Sequence, residues 1–180
     1  MLRPRQLIPF LQVPTLAHGT FDLAQATAQR LTMLVFYRGL HCPICIRYLT
    51  ELERLIPDFR QRGVEPVAIS ADNAERAADM AGRIKAQHLP IGYDLPLSTA
   101  RAWGLYLSAS RGKTSIGIEE PALFSEPGLF LVTKQHTLYY GATQTMPFAR
   151  PSFAELLGSL DFVIANDYPA RGDYQGDLMV

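Results

Sequence analysis

Twelve residues constrain this chain more than any others: Leu34-Val35-Phe36-Tyr37-Arg38-Gly39-Leu40-His41-Cys42-Pro43-Ile44-Cys45. An apolar, β-prone run ends at a glycine, and two cysteines follow three residues apart. Pro43 stands where a helix can begin, because the N–H it lacks has no helical partner at that position. Beyond it Ile46, Leu49, Leu52, Leu55, Ile56 and Phe59 recur at intervals of three and four, the mark of one buried helical face. The segment therefore predicts a dithiol at the junction of a buried strand and an amphipathic helix. These are the only 2 cysteines of the chain.

That placement has chemical consequences. A sulfur at a helix N-terminus faces unpaired N–H groups and the positive end of the helix dipole, which favour the thiolate. Cys42 falls there, and Cys45, about one turn further in, is close enough to attack a mixed disulfide formed on Cys42. Arg38 and His41 are candidates for adding positive charge beside the sulfur. A zinc site needs about four ligands, and the 4 histidines of the chain offer no second paired motif. Haem attachment requires His directly after the second Cys, where Ile46 stands. No metal or cofactor is expected.

The remaining sequence reads as scaffold. A chain of 180 residues suits a single domain, with a core over about 15–165, an irregular N-terminal arm and a poorly ordered tail from Asn166. Leu31 to Tyr37 and Val64 to Ser70 read as core strands covered on both faces. Pro57 should kink or end the first helix, with Gly63 closing it. Asp72 and Glu75 form a capping-box pattern for a helix to about Gln87. Pro90 to Tyr93 is a short strand, and Ser98 to Trp103 a brief helix stopped by Gly104. Residues 105–126 show no period and are expected to be an extended, partly mobile insertion. Leu129–Thr133 and Thr137–Ala142 flank a hairpin turn, and Ser152 with Glu155 opens a last helix. The order predicts an α/β fold with a central mixed β-sheet flanked by helices. The 17 basic and 17 acidic residues cancel, so no nucleic-acid or membrane partner is indicated. No apolar run is long enough to span a bilayer, and a cytoplasmic location is expected, where thiols stay reduced.

The run Phe36-Tyr37-Arg38-Gly39 followed by Cys42-Pro43-Ile44-Cys45 closely resembles the peroxiredoxin-like (AhpC/TSA) branch of the thioredoxin superfamily. CxxC members of that branch often read Phe-Tyr-Arg-Gly-Gly-Trp-Cys-Pro-Tyr-Cys; here Leu40-His41 and Ile44 are the departures. The resemblance extends through Val67–Asp72, Tyr93–Gly104 and Pro127–Val132. It implies a thioredoxin-like fold, an antioxidant or redox role, and Pro127 packed against the dithiol in a cis bond. It also implies that Cys42 and Cys45 are the catalytic pair, supported by Pro43, His41, Arg38 and Pro127.

Two enzymatic roles remain open on the resemblance. Peroxide-reducing relatives carry Thr or Ser three positions before the reactive Cys, and a distant Arg that contacts the peroxide. Aligning Phe36-Tyr37 puts Cys45 at the peroxide-reactive position, Cys42 at the Thr position, and Ser125-Glu126-Pro127-Gly128 where the Arg belongs. Neither positioning residue is evident, and this favours thiol–disulfide exchange with Cys42 attacking and Cys45 resolving. The alternatives are a thiol peroxidase in which Cys45 is oxidised, and a binding protein switched by the dithiol without turnover. The partners implied are a disulfide-containing protein or a small thiol or peroxide, an external thiol reductant, and, by analogy, a second copy of the chain in a homodimer.

Overall fold

Side chains alternate strictly along Leu31–Phe36, and the fold follows from both faces being apolar. In the computed structural model, which describes residues 2–178, this segment is β3 at the centre of a five-stranded sheet. Leu31, Met33 and Val35 enter a core shared with the helices on one face. Leu34 and Phe36 enter a second core on the other, with Trp103, Phe130 and Val132. Every residue of the strand is buried, as its unbroken apolar run predicts.

The elements run in chain order as β1 (Gln12–Pro14), β2 (Thr20–Asp22), β3, α1 (Pro43–Gln61), β4 (Val64–Ile69), α2 (Ala74–Ile84) and β5 (Ile91–Gly92). They continue with α3 (Leu97–Ala102), β6 (Leu107–Ala109), β7 (Leu123–Ser125), β8 (Gly128–Thr133), β9 (Leu138–Thr143) and α4 (Phe153–Asn166). The sheet order is β5-β4-β3-β8-β9, with β4 and β5 parallel to β3, and β8 antiparallel to both its neighbours. Hence β3, β4 and β9 all run the same way and end at one rim. Ile69, Phe36, Gly128 and Thr143 lie there in a single register row. The loops that leave this rim build the candidate site.

Several local expectations need correction. Helix α1 continues through Pro57 to Gln61. A proline inside a helix costs about 3 kcal/mol, but Leu52, Ile56 and Phe59 all bury on the same face, and their burial outweighs it. Helix α2 is capped by Asn73, whose side chain accepts the Arg76 N–H, because Asp72 is engaged elsewhere. It ends at Ile84, since Lys85 turns left-handed at φ 54°. The 105–126 insertion contains a hairpin in which β6 pairs with β7, closed further out by a Lys113–Glu119 bridge. Its three-residue arms are too short to show a period.

The N-terminal arm also carries more structure than expected. The bridge Leu7–Thr137 ties it to β9 and Thr15–Gly92 ties it to β5, with Leu11 and Val13 buried beneath. Beyond α4 the tail returns to this arm, where Arg5 and Asp173 form an ion pair at 3.0 Å. The expectations for the arm and tail also cover Met1, Met179 and Val180, which lie outside the described residues.

Candidate active site

Cys42 is the N-cap of α1, and Pro43 is the first helical residue, as the spacing predicts. The Cys45 N–H is shared between the Cys42 carbonyl at 3.0 Å and Cys42 Sγ at 3.3 Å, so a donor of the first helical turn faces the sulfur. Cys42 is 1% exposed and Cys45 is fully enclosed. Hydrogen bonding from the Cys45 thiol holds Cys42 down at about 6, against the opposing effect of burial, and Arg150 and Arg38 assist. Burial pushes Cys45 well up, and its bond to Cys42 pushes the same way. Two adjacent buried sulfurs do not both ionise. Cys42 carries the negative charge and Cys45 keeps its proton.

The residue that the sequence reading missed is Arg150. It leaves the same rim on the segment between β9 and α4, and its Nη2 donates to Cys45 Sγ at 3.1 Å and to Cys42 Sγ at 3.7 Å. The Pro147 carbonyl accepts from its Nε at 2.8 Å, and its guanidinium lies 5.1 Å from the centre of the Tyr48 ring. Tyr48 in turn donates to the Pro151 carbonyl at 2.7 Å and stacks on Phe153. One aromatic residue of α1 thus fastens the segment that brings the arginine to the dithiol. The alignment placed an arginine just before Leu129, and the guanidinium arrives from a later loop that has no periodic pattern. The only cue was an arginine between prolines in Pro147-Phe148-Ala149-Arg150-Pro151.

The Gly39–Cys42 loop is held by Asp72. Its carboxylate accepts the Leu40 N–H at 2.7 Å and the Arg76 Nε–H at 2.9 Å, and it is 2% exposed. Gly39 has φ 137°, and a Cβ there would sit 2.8 Å from both Asp72 oxygens. The glycine of Phe-Tyr-Arg-Gly is therefore needed both for conformation and for the approach of this carboxylate.

His41 does not carry the positive charge considered for it. Burial, then the charge of Arg38, lowers it to about 4, so the ring is neutral. Its Nδ1 lies 3.5 Å from Arg76 Nη2, which can only donate, so the ring proton sits on Nε2. Nε2 has no partner among the described residues. The ring packs on Phe124 of β7, 4.7 Å between centres.

Arg38 is ion-paired. Its Nη2 is 3.3 Å from Glu120 and its Nε 3.2 Å from Glu126, the second contact lying off the line of a hydrogen bond. Its guanidinium also covers the Phe124 ring at 4.7 Å. The β6–β7 hairpin is thus clasped onto the cysteine loop. Pro127 is buried, and its carbonyl accepts from Gln144 N–H at 3.0 Å, at the root of the Arg150 segment. No cis peptide bond occurs among the described residues, so the Glu126–Pro127 bond is trans, contrary to the resemblance.

A thiol pair at the end of a central strand, on the first turn of a helix that packs across a mixed sheet, defines a redox protein of thioredoxin-like fold. The AhpC/TSA family model matches residues 4–141, and the chain belongs to that family and is an oxidoreductase. The fold is similar to the peroxidoxin BcpB of Mycobacterium tuberculosis, at 17% identity and TM-score 0.70, over 91% of this chain and 99% of that one. It is similar to the reduced 2-Cys peroxiredoxin of Plasmodium vivax, at 14% identity and TM-score 0.73, over 97% and 90%. The AhpC of Mycobacterium tuberculosis matches at 14% identity and TM-score 0.71, over 93% and 95%. No curated protein sequence matches the chain significantly. Arg150 lies beyond the segment that the family model covers.

Proposed function

We propose that the protein is a dithiol hydroperoxide reductase in which Cys42 attacks and Cys45 resolves. The observation that carries this reading is the guanidinium of Arg150, in contact with both buried sulfurs. Protein disulfide exchange was favoured because neither a positioning Thr or Ser nor a distant arginine was evident, and Arg150 supplies a guanidinium at the dithiol. Enclosure of Cys42 points the same way, because a peroxide is small enough to enter where a folded protein's disulfide is not.

The Cys42 thiolate attacks the distal peroxide oxygen. The O–O bond breaks, Cys42 becomes a sulfenic acid, and the alkoxide leaves with a proton as the alcohol. Arg150 N–H groups face the charge that develops on the departing oxygen. Cys45 then gives up its proton and its sulfur displaces the hydroxyl, which leaves as water as the disulfide forms. Two equivalents of an external thiol restore the dithiol and are themselves oxidised to a disulfide. The hydrogen bond from the Leu40 N–H to Asp72 holds the loop that leads to Cys42.

The CxxC spacing supports a second reading, in which the oxidant is a partner's disulfide. No described helix is long and apolar enough to cross a membrane. The test is thiol loss from the reduced protein with hydrogen peroxide, compared with a model protein disulfide. Fast peroxide oxidation, with a sulfenic acid trapped by dimedone on Cys42 in Cys45→Ser, is the expected result. Slow peroxide oxidation beside fast disulfide exchange refutes the proposal, and a trapped adduct on Cys45 in Cys42→Ser refutes the assignment of roles.

A further inference from the structure

An external thiol cannot reach the dithiol as it stands. Cys42 is 1% exposed and Cys45 is fully enclosed, and a thiol that opens a disulfide must bring its own sulfur onto one of the pair. A peroxide is small enough to enter, but a thiol brings a carbon chain with its sulfur. Some wall of the site therefore moves once in every cycle.

The walls differ in how they are held. Asp72 ties down the cysteine loop through the Leu40 N–H. The β6–β7 hairpin is held by Arg38 on Glu120 and Glu126, and by Arg76, which donates to the Glu119 carbonyl at 3.2 Å. None of these contacts includes a sulfur. The segment Thr145–Arg150 is different. Among the described residues its main chain makes no hydrogen bond to the body of the protein. The flanking anchors are the Gln144 N–H on the Pro127 carbonyl and the Tyr48 hydroxyl on the Pro151 carbonyl. Thr145, Met146, Phe148 and Ala149 are exposed. The polar ties that draw the segment inward are those of Arg150, and they end on sulfur, at 3.1 Å from Cys45 and 3.7 Å from Cys42.

Those ties depend on redox state. In the dithiol, Cys42 offers the guanidinium a negative charge; in the disulfide no charge is left and each sulfur is a weak acceptor. Arg150 Nη1 is already buried without a partner among the described residues, and a buried cation that loses its anion is strongly disfavoured. A replacement stands close by. Glu51 is the one carboxylate of the cleft that Arg150 lines on the outer side of α1, and it is half-buried. Among the described residues it forms no ion pair.

We propose that Thr145–Arg150 is a flap latched by the reduced dithiol: disulfide formation releases Arg150 from the sulfurs to Glu51, and the external thiol enters where the guanidinium stood. The proposal rests on the dithiol cycle above and holds whether a peroxide or a disulfide starts it. The entering thiolate attacks Cys42 Sγ, the less enclosed sulfur. The Cys42–Cys45 bond breaks, and Cys45 leaves as a thiolate that takes a proton from solvent. A second thiolate attacks the reductant's sulfur in the mixed disulfide, so Cys42 leaves as the thiolate and the two reductant thiols depart joined as a disulfide. The charge restored on Cys42 draws Arg150 back and closes the flap.

The experiment is limited chymotryptic cleavage after Phe148, resolved by mass spectrometry, on the chain reduced with dithiothreitol and on the chain oxidised to the disulfide with diamide. The disulfide form is expected to be cut about tenfold faster, the population shift that loss of one charge-assisted hydrogen bond produces. Reduced Arg150→Met should be cut at the rate of the oxidised wild type. In Glu51→Gln, oxidised cleavage and reduction of the disulfide by glutathione should both slow about threefold, as suits a partly exposed ion pair. Equal cleavage of the two redox states of the wild type overturns the proposal, whatever the variants do. So does faster oxidised cleavage at Leu40 with Phe148 unchanged, which would place the movement in the cysteine loop. A Glu51→Gln chain that matches the wild type overturns the part given to Glu51. Failure of hydrogen peroxide to form the disulfide refutes the hydroperoxide reading alone, since diamide supplies the oxidised form for this test.

Discussion

Removing the guanidinium of Arg150 gives the sharpest test of the electrostatics described above. The Cys42 thiol stands at about 6 against an ordinary 9.0. At pH 7 it is therefore about 90% thiolate, where an unperturbed thiol is about 1%. Hydrogen bonds to charged groups contribute about 1.5–3 kcal/mol. The Arg150–Cys42 contact is long, at 3.7 Å, and belongs at the lower end, which corresponds to about one pH unit. Arg150→Met should therefore move the Cys42 midpoint from about 6 to about 7. At pH 6 the thiolate falls from about half to about a tenth, so alkylation by iodoacetamide should slow about fivefold. Above pH 8 the two proteins should converge. The assay is the pH profile of Cys42 alkylation, site-resolved by mass spectrometry, with thiolate absorbance near 240 nm as an independent titration. A midpoint that stays in place, or a rate deficit that is constant with pH, would falsify the assignment of Arg150 as a charge felt by Cys42.

Gly39→Ala forces a side chain into a left-handed conformation and against the Asp72 carboxylate. It should cost about 1–3 kcal/mol, read as a lower urea midpoint, and an unchanged midpoint would show that the loop adapts freely. His41 titrates at about 4 when folded against 6.5 unfolded, so the unfolded chain binds more protons between those values and stability rises with pH across that window. The change is up to about 3 kcal/mol, and it should shrink in His41→Gln when urea unfolding is repeated between pH 4 and 7. A wild-type slope identical to that of the variant would place the acid sensitivity elsewhere.

What could be read in the sequence was whatever local pattern determines. The Leu31–Phe36 run, the apolar stripe of α1, Pro43 at its first position and Ser152 at the start of α4 are each set by period or by capping chemistry, and each appears where expected. What could not be read depends on partners distant in the chain. Asp72 looks like a cap because nothing local reveals that Leu40, 32 residues earlier, offers it an N–H. Arg38 and His41 were candidates for positive charge beside the sulfur, but Arg38 is paired with Glu120 and Glu126 and burial discharges His41. Arg150 lies in a loop, and only the direction of β9 carries it to the cysteines.

The sheet rim opposite the dithiol holds the turn Lys134-Gln135-His136 between β8 and β9, with Lys134 and Gln135 exposed. Since β3, β4 and β9 all deliver their loops to the other rim, this turn is the natural anchor for immobilisation. A dye or a surface tether attached at Gln135 would hold the molecule with the rim that carries the dithiol turned towards solution, the full length of the central strands away from the point of attachment.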